Sequence, residues 1–500
     1  MVLGALALIA AAGVFAGAVA QASVVQVSSA AEGRPIAADF LGLALEYRSI
    51  PALAAPDLQS IDPVLVQLIR NLAPQGRPVL RIGGQSTDRT WWPVPGMSQP
   101  LGITYNLTPS WMSSAQALAQ ATDAQLILGV GLEVNRPRIA AVEADQLLSG
   151  IGRKYIDALE IGNEPELYTV VPWYRTLRGA PIAWYSHDGV PVFSRRQGYD
   201  PNTFFGEFSR TLRVLPRLPI AGPVTGTLPW LDGFHRFLAP ASPVRLVTWH
   251  AYGLNQCVTD PSSPQYPTVP NLLAPPASRE IVNGISPYVA QAHRVGAGFR
   301  VDEMNSVTCN GRPGVSDTFA SALWVMDALF TIAADGVDGV NIHTYQNAAN
   351  GLFDFDRSQG HWEGSVHPVY YGLMMFGQAA PPGSRLLQVN AGNQDRVRVW
   401  ATLAPDHRVR VLLINDSLTR SARVLVRVPV AAGPASIERL RAPSAYAKGG
   451  ITLGGTSFGT QTGTGLLPPP QAQAVLPRSG GYAVTLPAAS AALLTFPPGG

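Results

Sequence analysis

Cysteine is scarce in this chain: its 500 residues hold two, Cys257 and Cys309. That excludes a disulfide-built scaffold, and no Cys/His cluster at short spacing offers a structural zinc site. No His-Glu-x-x-His occurs, and the Gly-rich run Arg81-Ile82-Gly83-Gly84-Gln85-Ser86-Thr87-Asp88 has neither a P-loop lysine nor the dinucleotide fingerprint. Zincin and phosphate chemistry are therefore set aside, and no metal or organic cofactor is expected. Charge is low at 14% Asp, Glu, Lys and Arg, with a formal net charge of +3 and no block of Lys or Arg. A nucleic-acid footprint needs a basic stripe with interleaved aromatics, so no nucleic-acid partner is expected. Beyond the N-terminus no apolar run reaches the roughly 18 residues of a membrane span.

Apolar residues are abundant at 46%, enough for a large core, and 44 Pro with 49 Gly announce long, stiff, turn-rich loops. Val2 to Ala20 is nearly unbroken apolar sequence, and Ala20-Gln21-Ala22 offers a cleavage pattern. Residues 1–22 therefore read as a secretory signal peptide, and the chain as a secreted or extracytoplasmic protein. The run lacks a leading Lys or Arg, which leaves a retained membrane anchor as the alternative. In an exported chain Cys257 and Cys309 can form one disulfide, against the plainer reading of two free buried thiols.

From Ala38 to about Gln378 short apolar runs alternate with helix-compatible stretches. The candidate strands are Phe40–Glu46, Val79–Gly83, Gln125–Gly131, Ala158–Gly162, Ile220–Val224, Leu246–His250, Phe299–Asp302 and Gly339–His343. Eight such units predict a closed (β/α)8 TIM barrel over residues 38–383. Polar residues gather at the strands' C-terminal ends: Glu46, Gln85, Asp88, Asn163, Glu164, His250, Tyr252, Glu303, Asn341 and His343. Barrel enzymes build their sites at that face. From residue 384 to 500 strand-like runs separated by turns predict an antiparallel β-sandwich, joined by an N-terminal strand within residues 23–37.

Two segments carry the chemistry. Leu159-Glu160-Ile161-Gly162-Asn163-Glu164-Pro165 and Phe299-Arg300-Val301-Asp302-Glu303 are apolar runs that end on a glutamate, where a charge is costly unless the site needs it. Two carboxylates facing one cleft suffice to cleave a glycosidic bond. Pro165 disfavours a helical conformation at Glu164 and so directs its side chain toward the barrel mouth. Glu164 is the candidate general acid/base and Asn163 a ligand for a sugar hydroxyl. The plainer reading is a strand-end turn with Glu164 in a surface ion pair. Glu303 is the candidate nucleophile, kept ionised by a donor such as Tyr252. Tyr252 can equally be an aromatic that packs on its neighbours, and His250 is read as a satisfied polar residue without a catalytic role.

These residues resemble glycoside hydrolase family 79, the β-glucuronidase and heparanase group of the retaining clan A barrels. The resemblance lies in Leu80 to Asp88, Gly162-Asn163-Glu164-Pro165, Val247-Thr248-Trp249-His250-Ala251-Tyr252, and Asp302-Glu303 through Pro313-Gly314-Val315-Ser316-Asp317-Thr318. It implies Glu164 as acid/base, Glu303 as nucleophile, Tyr252 as the partner of Glu303, and Glu46, Gln85 and Ser86 as sugar contacts. One position departs from the family. Five residues after the nucleophile, where glucuronide-cleaving members carry a tyrosine for the substrate carboxylate, this chain has Thr308, then Cys309, Asn310 and Gly311. Thr308 can offer a hydroxyl, and the backbone N–H groups of Cys309 and Asn310 an anion nest. A Cys257–Cys309 disulfide would tie the loops after the sixth and seventh strands.

The reading that follows is a retaining, exo-acting β-glycosidase of the β-glucuronidase type, with an oligosaccharide or glycoside as its partner. Two others stand beside it: a clan A glycosidase acting on a neutral sugar, and a non-catalytic carbohydrate-binding barrel.

Overall fold

The computed structural model describes residues 23–54, 60–358, 361–392, 396–429, 433–471, 473–478 and 480–498. The expected signal peptide at residues 1–22 lies outside them. Among the described residues no helix is long and apolar enough to cross a membrane.

Eight parallel strands close into a barrel: Leu41–Glu46, Val79–Gly83, Gln125–Val130, Ile156–Ile161, Ile220–Thr225, Val244–Leu254, Gly298–Val307 and Gly339–His343. The last pairs in parallel with the first through Val340↔Leu41 to His343↔Ala44, which completes the ring. These strands read as near-continuous apolar runs because both faces are covered, by the barrel interior and by the outer helices. Val79–Gly83 and Ile220–Thr225 are buried at every position. The sixth and seventh strands run longer than their sequence patterns suggested, to Leu254 and Val307. They remain paired as far as Leu254↔Val307, so the polar residues between are held by ladder hydrogen bonds rather than on a loop.

The outer helices start where side chains can cap them. Asp62 accepts from the Val64 N–H at 2.8 Å ahead of helix Pro63–Leu72, and Asp200 from Thr203 at 2.8 Å ahead of Pro201–Leu212. Proline at the first helical turn loses no hydrogen bond there. Helix Phe319–Ala334 is buried almost all round. It lies between the barrel, helix Pro368–Ala379 and the C-terminal domain, where Phe330 stacks on Trp400 at 5.4 Å and Trp400 donates to Asp327 at 2.8 Å.

The C-terminal domain is one ten-stranded sheet. Its strands from both ends contribute to a single apolar core, Ile437 and Leu494 together with Val424 and Tyr482, so the sheet curls over on itself. Pairing is antiparallel except where the N-terminal strand Ser23–Glu32 runs parallel to Ala422–Arg427. The purely antiparallel expectation is corrected to that extent: a strand arriving from the far end of the chain is not bound by hairpin geometry. The outer face of this sheet, through Leu412, Ile414, Leu440 and Leu493, joins the core of the barrel. Gly455-Thr456-Ser457-Phe458-Gly459 matches the serine-hydrolase elbow in letters only. It lies in a turn of this domain, where Ser457 Oγ accepts from the Gly459 N–H at 3.2 Å.

The insertion after the fourth barrel strand folds into a three-stranded sheet of Tyr174–Leu177, Ala180–Ile182 and Val190–Val192. Arg89 fastens it by donating to the carbonyls of Pro172 and Trp173. Arg195 fastens it again, bonding Glu207 at 2.8 Å and the carbonyl of Glu133 at 2.7 Å.

Candidate active site

Glu303 stands on the seventh strand, 6% exposed, at the C-terminal mouth of the barrel. Three neighbours hold it. Arg81 Nη1 donates to Oε2 at 2.6 Å and the Tyr252 hydroxyl to Oε1 at 2.7 Å, while His343 Nδ1 lies 3.8 Å from Oε1. Burial alone would raise the Glu303 pKa, but His343, His250, Arg81 and the Tyr252 hydrogen bond outweigh it and hold the group far below the usual carboxylate range. A carboxylate in this setting stays ionised and keeps a lone pair for attack.

Glu164 follows the fourth strand in a left-handed backbone conformation, φ 46° and ψ 63°. Proline at 165 bars the right-handed helical region as expected, but the chain takes the left-handed one rather than the extended one. The reason is local pairing: the Glu164 N–H bonds Val224 O at 2.8 Å and its carbonyl accepts from Leu167 at 2.8 Å. Such a conformation costs about 1–3 kcal/mol in a non-glycine residue and persists where the surroundings enforce it. Gly162 just before has φ 75°, and a Cβ there would sit 2.7 Å from the Tyr168 hydroxyl. The turn is therefore closed to any larger residue.

The Glu164 side chain is 24% exposed and meets His250 Nδ1 at 3.1 Å. His250 Nδ1 is also 4.0 Å from Glu303, and the ligand atoms of Glu164, His250 and Glu303 all lie within 4.8 Å of one another. Burial lowers the His250 pKa, yet Glu303, Asp302 and the bond to Glu164 raise it to about 10. With its pKa raised this far, His250 is a charged bridge between the two glutamates.

Beneath the pair lies a second layer of charge. Arg81, fully buried, bonds Glu160 at 2.7 Å and approaches Asp302 at 3.4 Å, and Asp302 also faces His250 Nε2 at 3.6 Å. Burial raises the Asp302 pKa strongly and Glu160 adds to it, with His250 and Arg81 opposing. Asp302 is thereby biased toward its protonated form. Glu166, two residues past Glu164, accepts from Thr225 at 2.7 Å and Gly226 at 2.6 Å. Burial and the neighbouring Glu164 push its pKa up to about 7.

The remaining sequence candidates divide. Asn163 is buried, with Oδ1 on Arg81 Nη2 at 2.9 Å. Gln85 lines the cleft beside Asn163, Glu164 and Tyr168. Glu46 is bonded by His343 Nε2 at 3.2 Å and by the Ser86 N–H at 2.9 Å. The Ser86 hydroxyl accepts from Tyr47 N at 2.8 Å and gives its one proton to Gly83 O at 2.9 Å. Ser86 positions Glu46 and has no hydrogen left for a sugar. The glycine run allows close approach of this carboxylate: a Cβ on Gly84 would fall 2.2 Å from Glu46 Oε1.

Thr308 is committed in the same way, accepting from Gln256 N at 2.9 Å and donating to Asn255 at 3.2 Å. Cys309 and Asn310 both have positive φ, 54° and 71°, with Gly311 at 83°. The expected disulfide is not formed: Cys257 and Cys309 are free, exposed thiols. The bonds of Thr308 to Asn255 and Gln256 tie these two loops, so the link needs no S–S bond. Burial and the adjacent Cys257 thiol raise the Cys309 pKa.

Arg81, Glu160 and Asp302 entered the sequence reading only as members of motifs, His343 only among the polar residues at strand ends, and His250 was given no role. Their alternation on barrel strands looks like ordinary core sequence, and only strand closure brings them under one carboxylate. Tyr345, just past the eighth strand, was missed entirely. It lies 5.9 Å from the His343 ring, and burial, Glu46 and Cys309 push its hydroxyl up to about 12.

Residues 399–493 match the Glycosyl hydrolase family 79 C-terminal beta domain. The match agrees with the family resemblance over the C-terminal sheet domain, outside the barrel motifs. No curated protein matches the chain by sequence. Among solved structures, a 4-O-α-L-rhamnosyl-β-D-glucuronidase from Fusarium oxysporum 12S superposes with a TM-score of 0.66 at 18% identity, covering 95% of this chain and all of the other. A family 51 arabinofuranosidase from Xanthomonas axonopodis pv. citri gives 0.63 at 14%, covering 95% and 99%. An α-L-arabinofuranosidase from Thermotoga maritima gives 0.63 at 12%, with the same coverage. At these identities the likeness shows the fold alone, an eight-stranded parallel barrel with a sheet domain.

Proposed function

We propose that the protein is a retaining β-glycosidase of the β-glucuronidase type, acting by double displacement. The observation that carries this is the approach of Glu164 and Glu303, whose oxygens lie within 4.8 Å of each other and of His250. Retaining enzymes hold their carboxyls about 5–5.5 Å apart, whereas inverting ones leave roughly 6.5–9.5 Å for a water. Glu303, held ionised, attacks the anomeric carbon while Glu164 protonates the departing glycosidic oxygen. A covalent glycosyl ester forms on Glu303. Glu164, now a carboxylate, takes a proton from water, which attacks the anomeric carbon, breaks its bond to Glu303 and frees the Glu303 carboxylate. Asn163 and Gln85 bind hydroxyls of the reacting sugar, with Glu46 on its far side.

For a uronate, Thr308 is spent, so the carboxylate falls to the backbone N–H groups of Cys309 and Asn310 and to the hydroxyl of Tyr345. Left-handed residues in succession turn their N–H groups to one side, an arrangement suited to an anion. The solved glucuronidase of the same fold is consistent with this choice. The committed Thr308 hydroxyl favours a second reading, in which the sugar is neutral. Hydrolysis of aryl β-glucuronide against aryl β-glucoside, β-xyloside and α-arabinofuranoside, with the product anomer followed by NMR, tests both. A product of inverted configuration overturns the mechanism, and preference for a neutral glycoside overturns the uronate assignment. The absence of turnover on the whole panel would favour the third reading, a carbohydrate-binding barrel.

A further inference from the structure

The charge of the chain is unevenly divided. Residues 384–500 hold 12 Lys and Arg against 4 Asp and Glu, while residues 1–383 hold 24 against 29. The modest net charge of +3 thus combines a sheet region at +8 with a barrel region at −5. The few acids of the sheet region neutralise little of this. Asp406 pairs with Arg410 and Asp416 with Arg398, while Glu438 turns to Gln378 of the barrel at 3.3 Å.

Arg439 and Arg441 stand two residues apart on strand Ala435–Arg441, hence on one face. Neither forms an ion pair with an acid among the described residues. Arg439 donates to the Thr485 carbonyl at 3.0 Å, and burial with the adjacent Arg441 lowers its pKa. Like charges held together without a counter-charge favour an anion between them. With Thr452, Gly454, Gly455, Gln471, Gln473 and the apolar Ile437 they line a groove of about 110 Å³. Gly454 and Gly455 have φ 58° and 81°, and a Cβ on Gly454 would fall 2.4 Å from Pro470. The turn that walls the groove therefore requires glycine.

The lining chemistry is specific in kind. Guanidinium groups take carboxylate or sulfate in bidentate fashion. Carboxamides and a threonine hydroxyl suit sugar hydroxyls. No aromatic ring lines the groove, which removes the stacking platforms that single-stranded nucleic acid uses. We propose that the groove around Arg439 and Arg441 is a second, non-catalytic site that binds acidic polysaccharide through its carboxylate or sulfate groups. The choice of a glycan rests on the glycosidase reading of the barrel, and the site itself does not depend on which sugar the barrel cleaves. Held by the sheet domain, a polymer is presented to the cleft at a raised local concentration, without any further contact in the cleft.

The test is binding of the full chain to immobilised heparin, with hyaluronan, double-stranded DNA and dextran as separate arms and sodium chloride as the variable. Retention on heparin or hyaluronan, weakening as salt rises, is expected. Arg439→Gln/Arg441→Gln should weaken it at least about tenfold, the worth of one lost charge-assisted hydrogen bond. Aryl glycoside hydrolysis should be unchanged, and Arg439→Lys/Arg441→Lys should retain most of the binding. No binding by the native chain, unaltered affinity in the glutamine variant, or equal affinity for DNA or dextran overturns the proposal. Loss of heparin binding with full aryl glycosidase activity would separate its fate from that of the catalytic reading. Heparin binding by a chain inert on every aryl glycoside would overturn the catalytic reading alone.

Discussion

The two glutamates of the cleft sit in opposite kinds of surroundings. Glu303 is 8% exposed at its side chain and is held from below by Arg81 and from the side by Tyr252, inside a layer that also contains Glu160 and Asp302. Glu164 is 24% exposed, is bonded by His250, and is aimed by a strained turn. The Glu303 side is over-determined and the Glu164 side is adjustable. The proposed double displacement asks for this asymmetry, because a nucleophile keeps one protonation state between attacks while an acid/base must change its own twice in each cycle.

The comparison can be broken at several points, beginning with the largest effect. Glu303→Gln should lower kcat for an aryl glycoside by at least about 10⁴-fold with the fold intact, as removal of a nucleophile does. Residual turnover near the native rate would remove Glu303 from the mechanism. Glu164→Ala should cost about 10²–10⁴-fold for a poor leaving group, the usual contribution of a general acid. Azide should then restore turnover and yield a glycosyl azide of retained configuration. An azide product of inverted configuration would exchange the roles of the two residues.

Arg81→Met tests the layer beneath. It leaves buried carboxylates without their counter-ion and should destabilise the fold by about 3–5 kcal/mol in urea unfolding. A loss of activity without a loss of stability would make Arg81 a purely catalytic group. Tyr252→Phe removes one hydrogen bond to an ionised group, so kcat should fall by about 10- to 100-fold with stability nearly unchanged.

The smallest effect is one of pH. His250 has its pKa raised from an ordinary 6.5 to about 10 in the folded chain. The stability it contributes is complete below about 6.5 and is lost as pH rises toward about 10. Glu303 is shifted the other way, so its contribution is present above the ordinary carboxylate range and is lost only in stronger acid. Melting temperature should therefore decline on the alkaline side in the native chain, and His250→Asn should flatten that decline.

Residue patterns made the barrel and the two glutamates legible because each barrel strand is an apolar run with a polar residue at its C-terminal end. Arg81 and Asp302 were opaque for the opposite reason. Each interrupts an apolar strand, and alone it reads as a fault in the pattern or a surface residue. Ser86 and Thr308 misled in another way: a hydroxyl at a strand end looks available, yet the backbone of a neighbouring loop had already taken it. The cysteines misled on the same ground, since their closeness in space did not make a bond between them.

By itself the sequence determined the repeating units, their ring of eight, the two carboxylates and the family habit that links them, all properties of local pattern and spacing. Only the tertiary structure decided what those carboxylates are. Barrel closure places Arg81, His250, Tyr252 and His343, from three different strands, around Glu303. Protonation depends on distance and burial, which residues far apart in the chain acquire only when the strands meet.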